Sequence, residues 1–328
     1  MKLRGIDFGH VLDASGARNW FGEGYPFHRY VPGLNFDGST FVAKTTTLHP
    51  HRGYADMRRD GTRPRILGQR AVKVNWFKGV ALNALGLPGP GFRALLDQGN
   101  WQRLQTPFFL SFMAIGASLS DNLNEVREFV RILKAELPRF SAPVGLQINF
   151  SCPNVLPREH LANFNCHLDE YQTLGIPIMP KLSATTSIDV ALAIGKHPSC
   201  DAICISNTIP WGELPDTIDW RGLFGVESPL KEYGGGGLSG APLLSIVAEW
   251  VRDARRQGLT KPINAGGGIL KPADVDVLLH AGASSVFVGS IAILRGWRLQ
   301  RTINHANRAF STQMTQGQEV ATPAFRRA

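Results

Sequence analysis

The run LQINFSCPNVLP (146–157) sets a thiol, Cys152, between two amides, Asn149 and Asn154, directly after an apolar stretch. A lone cysteine in such a place is usually a buried, inert small hydrophobe, whereas a cysteine held as thiolate is a nucleophile and proton acceptor. Two further amides, Asn83 and Asn207, follow other apolar runs. Each amide both donates and accepts, which suits a flat heterocycle bearing carbonyl and N–H groups. Lys44 and Lys181 also close apolar runs, FVAKTT and IPIMPKL. Burying a lysine there is costly unless an anion or an electron-rich ring partners it.

Glycines mark a second kind of chemistry. NAGGGILKPADVDVLL carries Gly267 and Gly268 from a strand into a helix, and VFVGSIAIL does the same through Gly289 and Ser290. Glycine lets the backbone approach an anion, and the helix start behind it offers free N–H groups. The plainer reading is that these glycines only make tight turns. A third glycine-rich stretch, YGGGGLSGAPLL (233–244), precedes another helix and is expected to close around the same ligand. No G-x-G-x-x-G follows the first strand, so a nicotinamide fold of that type is unsupported.

The elements that must position these residues alternate in period. FVAKTT (41–46), AVKVNWF (71–77), FFLSFMAIG (108–116), PVGLQINF (143–150), IPIMPKL (176–182), DAICISN (201–207), PINAGGG (262–268) and SSVFVGS (284–290) read as strands. Helical periodicity fills 121–137, 187–197, 241–258 and 272–282. Strands apolar on both faces, separated by helices, imply a parallel sheet covered by helices. Eight of them favour a closed (β/α)8 TIM barrel. Lys44, Asn149, Lys181, Asn207, Gly267 and Gly289 each fall at the C-terminal end of a different expected strand, which in a barrel is one mouth. The glycine turns are then the last two strand-to-helix turns, where barrels commonly hold a phosphate.

Composition narrows the class. The 328 residues are 43% hydrophobic and 19% charged, as expected of a soluble globular chain with a sizeable core. A net charge of +9 is spread along the sequence, and the densest basic cluster, Arg52 to Arg70, comes with no nucleic-acid-binding motif, so no nucleic-acid partner is expected. Four cysteines, at 152, 166, 200 and 204, lack a C-x-x-C pair; this predicts no disulfide framework, no metal site and a reducing, cytoplasmic setting. Cys166, Cys200 and Cys204 are read as buried and inert. No signal-peptide stretch or membrane-length apolar window is expected.

In this order and spacing, NFSCPN, PKLS, SNT, GGGGLSG, AGGGI and VGS resemble the dihydroorotate dehydrogenases, FMN-dependent barrel enzymes of pyrimidine synthesis. ASG (14–16), AKTTTL (43–48) and NALGLPGPGF (83–92) extend the resemblance over nearly the whole chain. It implies oxidation of dihydroorotate to orotate, with FMN at the C-terminal mouth of the strands. Cys152 matches the general base of the soluble class 1 enzymes, where class 2 carries serine. The resemblance further implies that Lys44, Asn83, Asn149, Asn154, Asn207 and Thr208, with the backbone of Leu85, Gly86 and Leu87, bind the pyrimidine. Ala14, Ser15, Lys44, Thr45, Asn149, Lys181, Ser239, Gly240, Gly267, Gly268, Gly289 and Ser290 would surround FMN, with Lys181 beside its N1 and O2 edge.

A homodimer is expected, and the electron acceptor is either fumarate or NAD. The second route needs a separate iron–sulfur flavoprotein subunit, since this chain has no cysteine cluster for iron–sulfur and no nicotinamide fingerprint. Two stretches depart from the family pattern: an insertion around 49–75, and the aromatic-rich RNWFGEGYPFHRY (18–30). The rivals are a flavin oxidoreductase acting on a related dihydropyrimidine, against which Asn154 stands where histidine is expected, and a catalytically silent flavin-binding or interaction protein. Otherwise the chain is read as one barrel domain, 1–328.

Overall fold

The protein is described by a computed structural model covering residues 1–57, 69–150 and 163–321. A small hairpin of β1 (Lys2–Leu3) and β2 (Ile6–Asp7) leads into β3 (Val11–Asp13). A second hairpin, β4 (Val72–Asn75) and β5 (Val80–Asn83), precedes α1 (Phe92–Leu96). Strands and helices then alternate through β6 (Phe108–Phe112), α2 (Leu119–Glu136), β7 (Val144–Asn149), α3 (Phe164–Gln172), β8 (Ile178–Ser183), α4 (Ile188–Lys196) and β9 (Ile203–Asn207). After β10 (Ile209–Pro210), α5 (Trp220–Phe224) and β11 (Gly237–Gly240) come α6 (Leu243–Arg256), β12 (Ile263–Ala265), α7 (Pro272–Ala281), β13 (Ser285–Val288), α8 (Ser290–Leu294) and α9 (Leu299–Ala321).

Seven of the strands form one parallel sheet in the order β3-β13-β12-β9-β8-β7-β6. Residues 40–46 run between its two edges. Thr40 bridges Leu12 of β3, while Val42 and Thr46 bridge Phe109 and Phe112 of β6. Backbone bonds from Asp13 N to Thr40 O (2.9 Å) and from Ala43 N to Phe109 O (2.9 Å) close the ring, giving the expected TIM barrel.

One expected barrel strand is displaced. The 71–77 run lies outside the ring as β4, in an antiparallel sheet ordered β10-β11-β5-β4. Its Lys73 is exposed and its valines only half-buried, the alternation of a ribbon with one wet face and not of a strand covered on both sides. The first barrel strand is instead β3, three buried residues ending in an aspartate, too short and too polar at its end to stand out in the sequence.

Inward-facing residues grade from apolar to polar along the barrel. Leu12, Val42, Phe109, Met179, Cys204 and Phe287 make one buried cluster with Met1, Leu3 and Phe8, so the N-terminal hairpin plugs the bottom. Two residues further along their strands, on the same face, come Ser111 and Lys181. The opposite faces of the strands join the larger core beneath the helices. Those helices carry local start signals: Ser118 and Asp121 form a reciprocal capping box on α2, and the Ser187 hydroxyl caps α4.

Candidate active site

The polar end of the barrel is held by the strand ladder. Asn149 ends β7, is 6% exposed and pairs in register with Lys181 of β8, which is 8% exposed. Asn207 ends β9, on the far side of β8, yet its Nδ2 donates to Asn149 Oδ1 at 3.1 Å. The Asn207 Oδ1 also accepts from Thr208 N at 3.0 Å, which holds its acceptor face toward the start of the next segment. Lys181 Nζ lies 5.7 Å from the Phe287 ring centroid, above the apolar plug. Two amides and an ammonium group are thus fixed together at one mouth, a set able to orient a ring carrying carbonyl and N–H groups and to offset its negative charge.

On the opposite side of the ring, Ser15 Oγ donates to Ala43 O (2.8 Å) and lies 2.9 Å from Thr45 Oγ1, which in turn is 2.9 Å from Ser111 Oγ. This hydroxyl chain joins the turn after β3, the 40–46 segment and β6. Lys44 is half-buried beside it and donates from Nζ to Pro88 O at 2.6 Å.

The antiparallel sheet roofs this mouth, because β10 continues directly from β9. It sets Asn83 opposite Gly237, with Asn83 Nδ2 3.5 Å from Gly237 O, and Ser239 opposite Ala81, with its hydroxyl donating to Ala81 O at 3.3 Å. The GGGGLSG stretch, read from the sequence only as a glycine-rich lead into a helix, is partly the strand β11. Leu85 O accepts from Tyr54 N at 2.9 Å, and Leu87 O lies 3.3 Å from His51 Nδ1. The described part of the 49–75 segment thus packs on the loop assigned to the substrate.

The glycine turns interlock. A Cβ on Gly240 would lie 2.2 Å from Gly79 O, one on Gly268 would lie 2.5 Å from Leu244 N and 3.0 Å from Gly240 O, and one on Gly289 would lie 2.6 Å from Ala14 Cβ. Close passage of chain past chain therefore demands glycine at each site. Gly267, at φ +132°, is required by its own conformation. The same interlock draws the turns after β3, β12 and β13 and the end of β11 together, with Ser290 at the first position of α8. These turns share the C-terminal end of the barrel with Thr45, Asn149 and Lys181, a set of backbone, amino, amide and hydroxyl groups whose chemistry suits a phosphorylated planar cofactor.

Cys152 and Asn154 lie outside the described residues. The other thiols are not candidates for the base. Burial pushes Cys200 and Cys204 up to about 12, and both stay protonated at neutral pH. Cys166 was expected to be buried and is instead exposed, because it sits on the outer face of α3, whose buried side is formed by Phe164, His167, Leu168 and Tyr171.

Sequence reasoning missed Ser111 and Gln147. Ser111 is the lone polar residue of β6 and Gln147 the one polar residue of β7 before its terminal Asn149, and both are almost fully buried at the level just below the mouth. That isolation was the available signal. Trp20, in the sequence one of several aromatics in the 18–30 stretch, is fully buried with its ring against Lys44 Nζ. Among the described residues there is no cluster of three or more metal-ligating side chains, and no helix long and apolar enough to cross a membrane.

A parallel barrel with buried lysine and amides at the C-terminal mouth is the frame of a (β/α)8-barrel enzyme. The chain belongs to the dihydroorotate dehydrogenase family, whose family model matches residues 29–307. The members of this family are flavin-dependent oxidoreductases acting on the CH–CH bond of dihydroorotate in pyrimidine synthesis. The chain is 27% identical over 291 residues, 87% of its length and 82% of the relative's, to the dihydroorotate dehydrogenase B (NAD(+)), catalytic subunit, of Endomicrobium trichonymphae. It is 28% identical over 302 residues, 88% and 86%, to the dihydroorotate dehydrogenase A (fumarate) of Lactobacillus helveticus. Both relatives are class 1 enzymes. In fold it is similar to ligand-free dihydroorotate dehydrogenase from Eimeria tenella, with a TM-score of 0.63 at 18% identity, covering 97% of this chain and 88% of that one.

Proposed function

We propose that this chain oxidises dihydroorotate to orotate with FMN seated at the C-terminal mouth of its barrel, and that Cys152 is the base. The observation that carries the reading is the amide pair Asn149–Asn207 closed over buried Lys181, within a mouth lined by the interlocked glycine turns. Gly240, Gly267, Gly268, Gly289 and Ser290 would hold the phosphate end of FMN, while Ala14, Ser15, Lys44, Thr45, Lys181 and Ser239 would surround the rest. When bound, FMN supplies the hydride acceptor.

The protein's own part is placement and proton transfer. Asn83, Asn149, Asn154, Asn207 and Thr208 orient the pyrimidine through its amide and carboxylate groups, and a ring lacking that pattern forgoes those hydrogen bonds. The Cys152 thiolate takes the C5 proton, which requires a thiol tuned toward the working pH. Lys181 sets its amino group in a nearly dry site, where a positive charge counts for more than in water. The exposed Trp76, Phe77 and Val226 favour a homodimer, and the free buried thiols Cys200 and Cys204 are in keeping with a reducing cytoplasm.

Orotate formation by the purified protein tests the reading, with fumarate or NAD as acceptor. NAD reduction would require an added iron–sulfur flavoprotein subunit. Cys152→Ser is expected to lose most activity near neutral pH and to recover part of it at higher pH; full activity at neutral pH would remove Cys152 as the base.

A further inference from the structure

We propose that Trp20, in the stretch of the chain that the family pattern does not explain, is the positioning residue that fixes the Lys44 ammonium at the barrel mouth. The Lys44 Nζ lies 4.3 Å from the centroid of the Trp20 ring and donates to Pro88 O at 2.6 Å. The ammonium is thus gripped between an electron-rich face and a carbonyl, and it is half-withdrawn from water, where such a face attracts a cation more strongly. The backbone adds a third tie, with Lys44 N donating to Asn19 O at 2.9 Å.

Trp20 is built to stay where it is. Its side chain is fully buried, its carbonyl accepts from Trp101 Nε1 at 2.5 Å, and Gly89 leaves the space for its ring, since a Cβ there would lie 2.9 Å from Trp20 Cζ2. Its own indole N–H has no hydrogen-bond partner among the described residues. Burying an unmatched donor is unfavourable, and phenylalanine or leucine would fill much of the same core without that cost. What the indole adds is the strongest cation-binding face among the side chains, aimed at the one lysine assigned to touch both ligands. The same short segment runs from Pro88 and Gly89 back to Leu85–Leu87, so holding Lys44 also ties the cofactor side of the mouth to the substrate loop.

This inference rests on the proposed role of Lys44 for its effect on turnover, but the grip itself can be read without substrate. Acetic anhydride labelling of the purified protein, followed by mass spectrometry, measures the reactivity of Lys44 against that of exposed Lys73. Trp20→Leu is expected to raise the relative labelling of Lys44 roughly 2- to 30-fold, and Trp20→Phe, which keeps a weaker face, by less. Gly89→Ala pushes on the ring at Cζ2 without emptying the core and is expected to act like Trp20→Leu. If dihydroorotate is the substrate, the kcat/KM falls in the same order, with Trp20→Phe retaining most of it. Lys44 labelling that stays at the wild-type rate in both Trp20→Phe and Gly89→Ala overturns the grip, whatever happens to Trp20→Leu. A wild-type protein that leaves dihydroorotate untouched, with labelling that still follows Trp20, overturns the substrate reading alone and leaves the grip standing.

Discussion

Asn207 and Asn149 end two strands that are not neighbours, and the amide of one donates to the other at 3.1 Å across Lys181 of the strand between them. This bond makes the two amides one unit. Asn207→Ala or Asn149→Ala takes this bond from the other amide at the mouth, a loss of about 1–3 kcal/mol, or roughly 5- to 150-fold in kcat/KM. The double variant is expected to lose less than the product of the two single losses, and simple additivity in the double-mutant cycle would show the bond to be incidental.

A buried carboxylate ties the first barrel strand to the aromatic stretch beyond it. Asp13 accepts from Arg18 and Ser39, and the Arg18 guanidinium sits 5.3 Å from both the Phe36 and the Phe41 ring centroids. Burial raises Asp13 from 3.8 to about 6, with Arg18 and Ser39 opposing the rise only in part. The folded state therefore binds this proton more tightly than the unfolded chain. Its contribution is fullest below pH 3.8 and is lost as pH rises through about 6, with a slope of at most about 1.4 kcal/mol per pH unit. Thermal melts of Asp13→Asn against wild type are expected to show the variant gaining relative stability from about pH 4 to 6 and holding it above. A difference that is flat across that window would contradict the burial.

Gly240 has φ +108° and would place a Cβ against Gly79 O. Gly240→Ala is expected to spread β11 from the β4–β5 hairpin and to lower flavin retention more than overall helix content. Flavin absorbance and circular dichroism after gel filtration separate the two effects, and a variant with full flavin loading would show that the interlock does not shape the cofactor site.

The tip of the β4–β5 hairpin offers the plainest contact surface. Phe77 is 100% exposed, Trp76 is 51% exposed, and together they line a groove of about 510 Å³ with Phe224 and Pro229. Sedimentation equilibrium is expected to give a dimer for the wild type and a monomer for Phe77→Asp. A monomeric wild type would contradict the dimer.

The parts of the site that were legible in the sequence share one physical signature. Lys44, Asn149, Lys181 and Asn207 interrupt apolar runs at strand ends, where burying a polar group is costly enough to need a reason. The closed barrel was legible from strand number, although one strand was misplaced: a valine-rich ribbon with a wet face imitates a core strand over seven residues, while Val11–Asp13 is too short to show a period. The Trp20–Lys44 contact, the hydroxyl chain through Ser111 and the pairing of the 49–57 segment with the Leu85–Leu87 loop were hidden, because each joins residues far apart in sequence and none depends on a local pattern.

The central claim is met most directly by mixing the purified, flavin-loaded protein with dihydroorotate under anaerobic conditions and following the visible flavin band. The band is expected to bleach, with one orotate formed per flavin. A bound flavin that stays oxidised while dihydroorotate is recovered unchanged would contradict it.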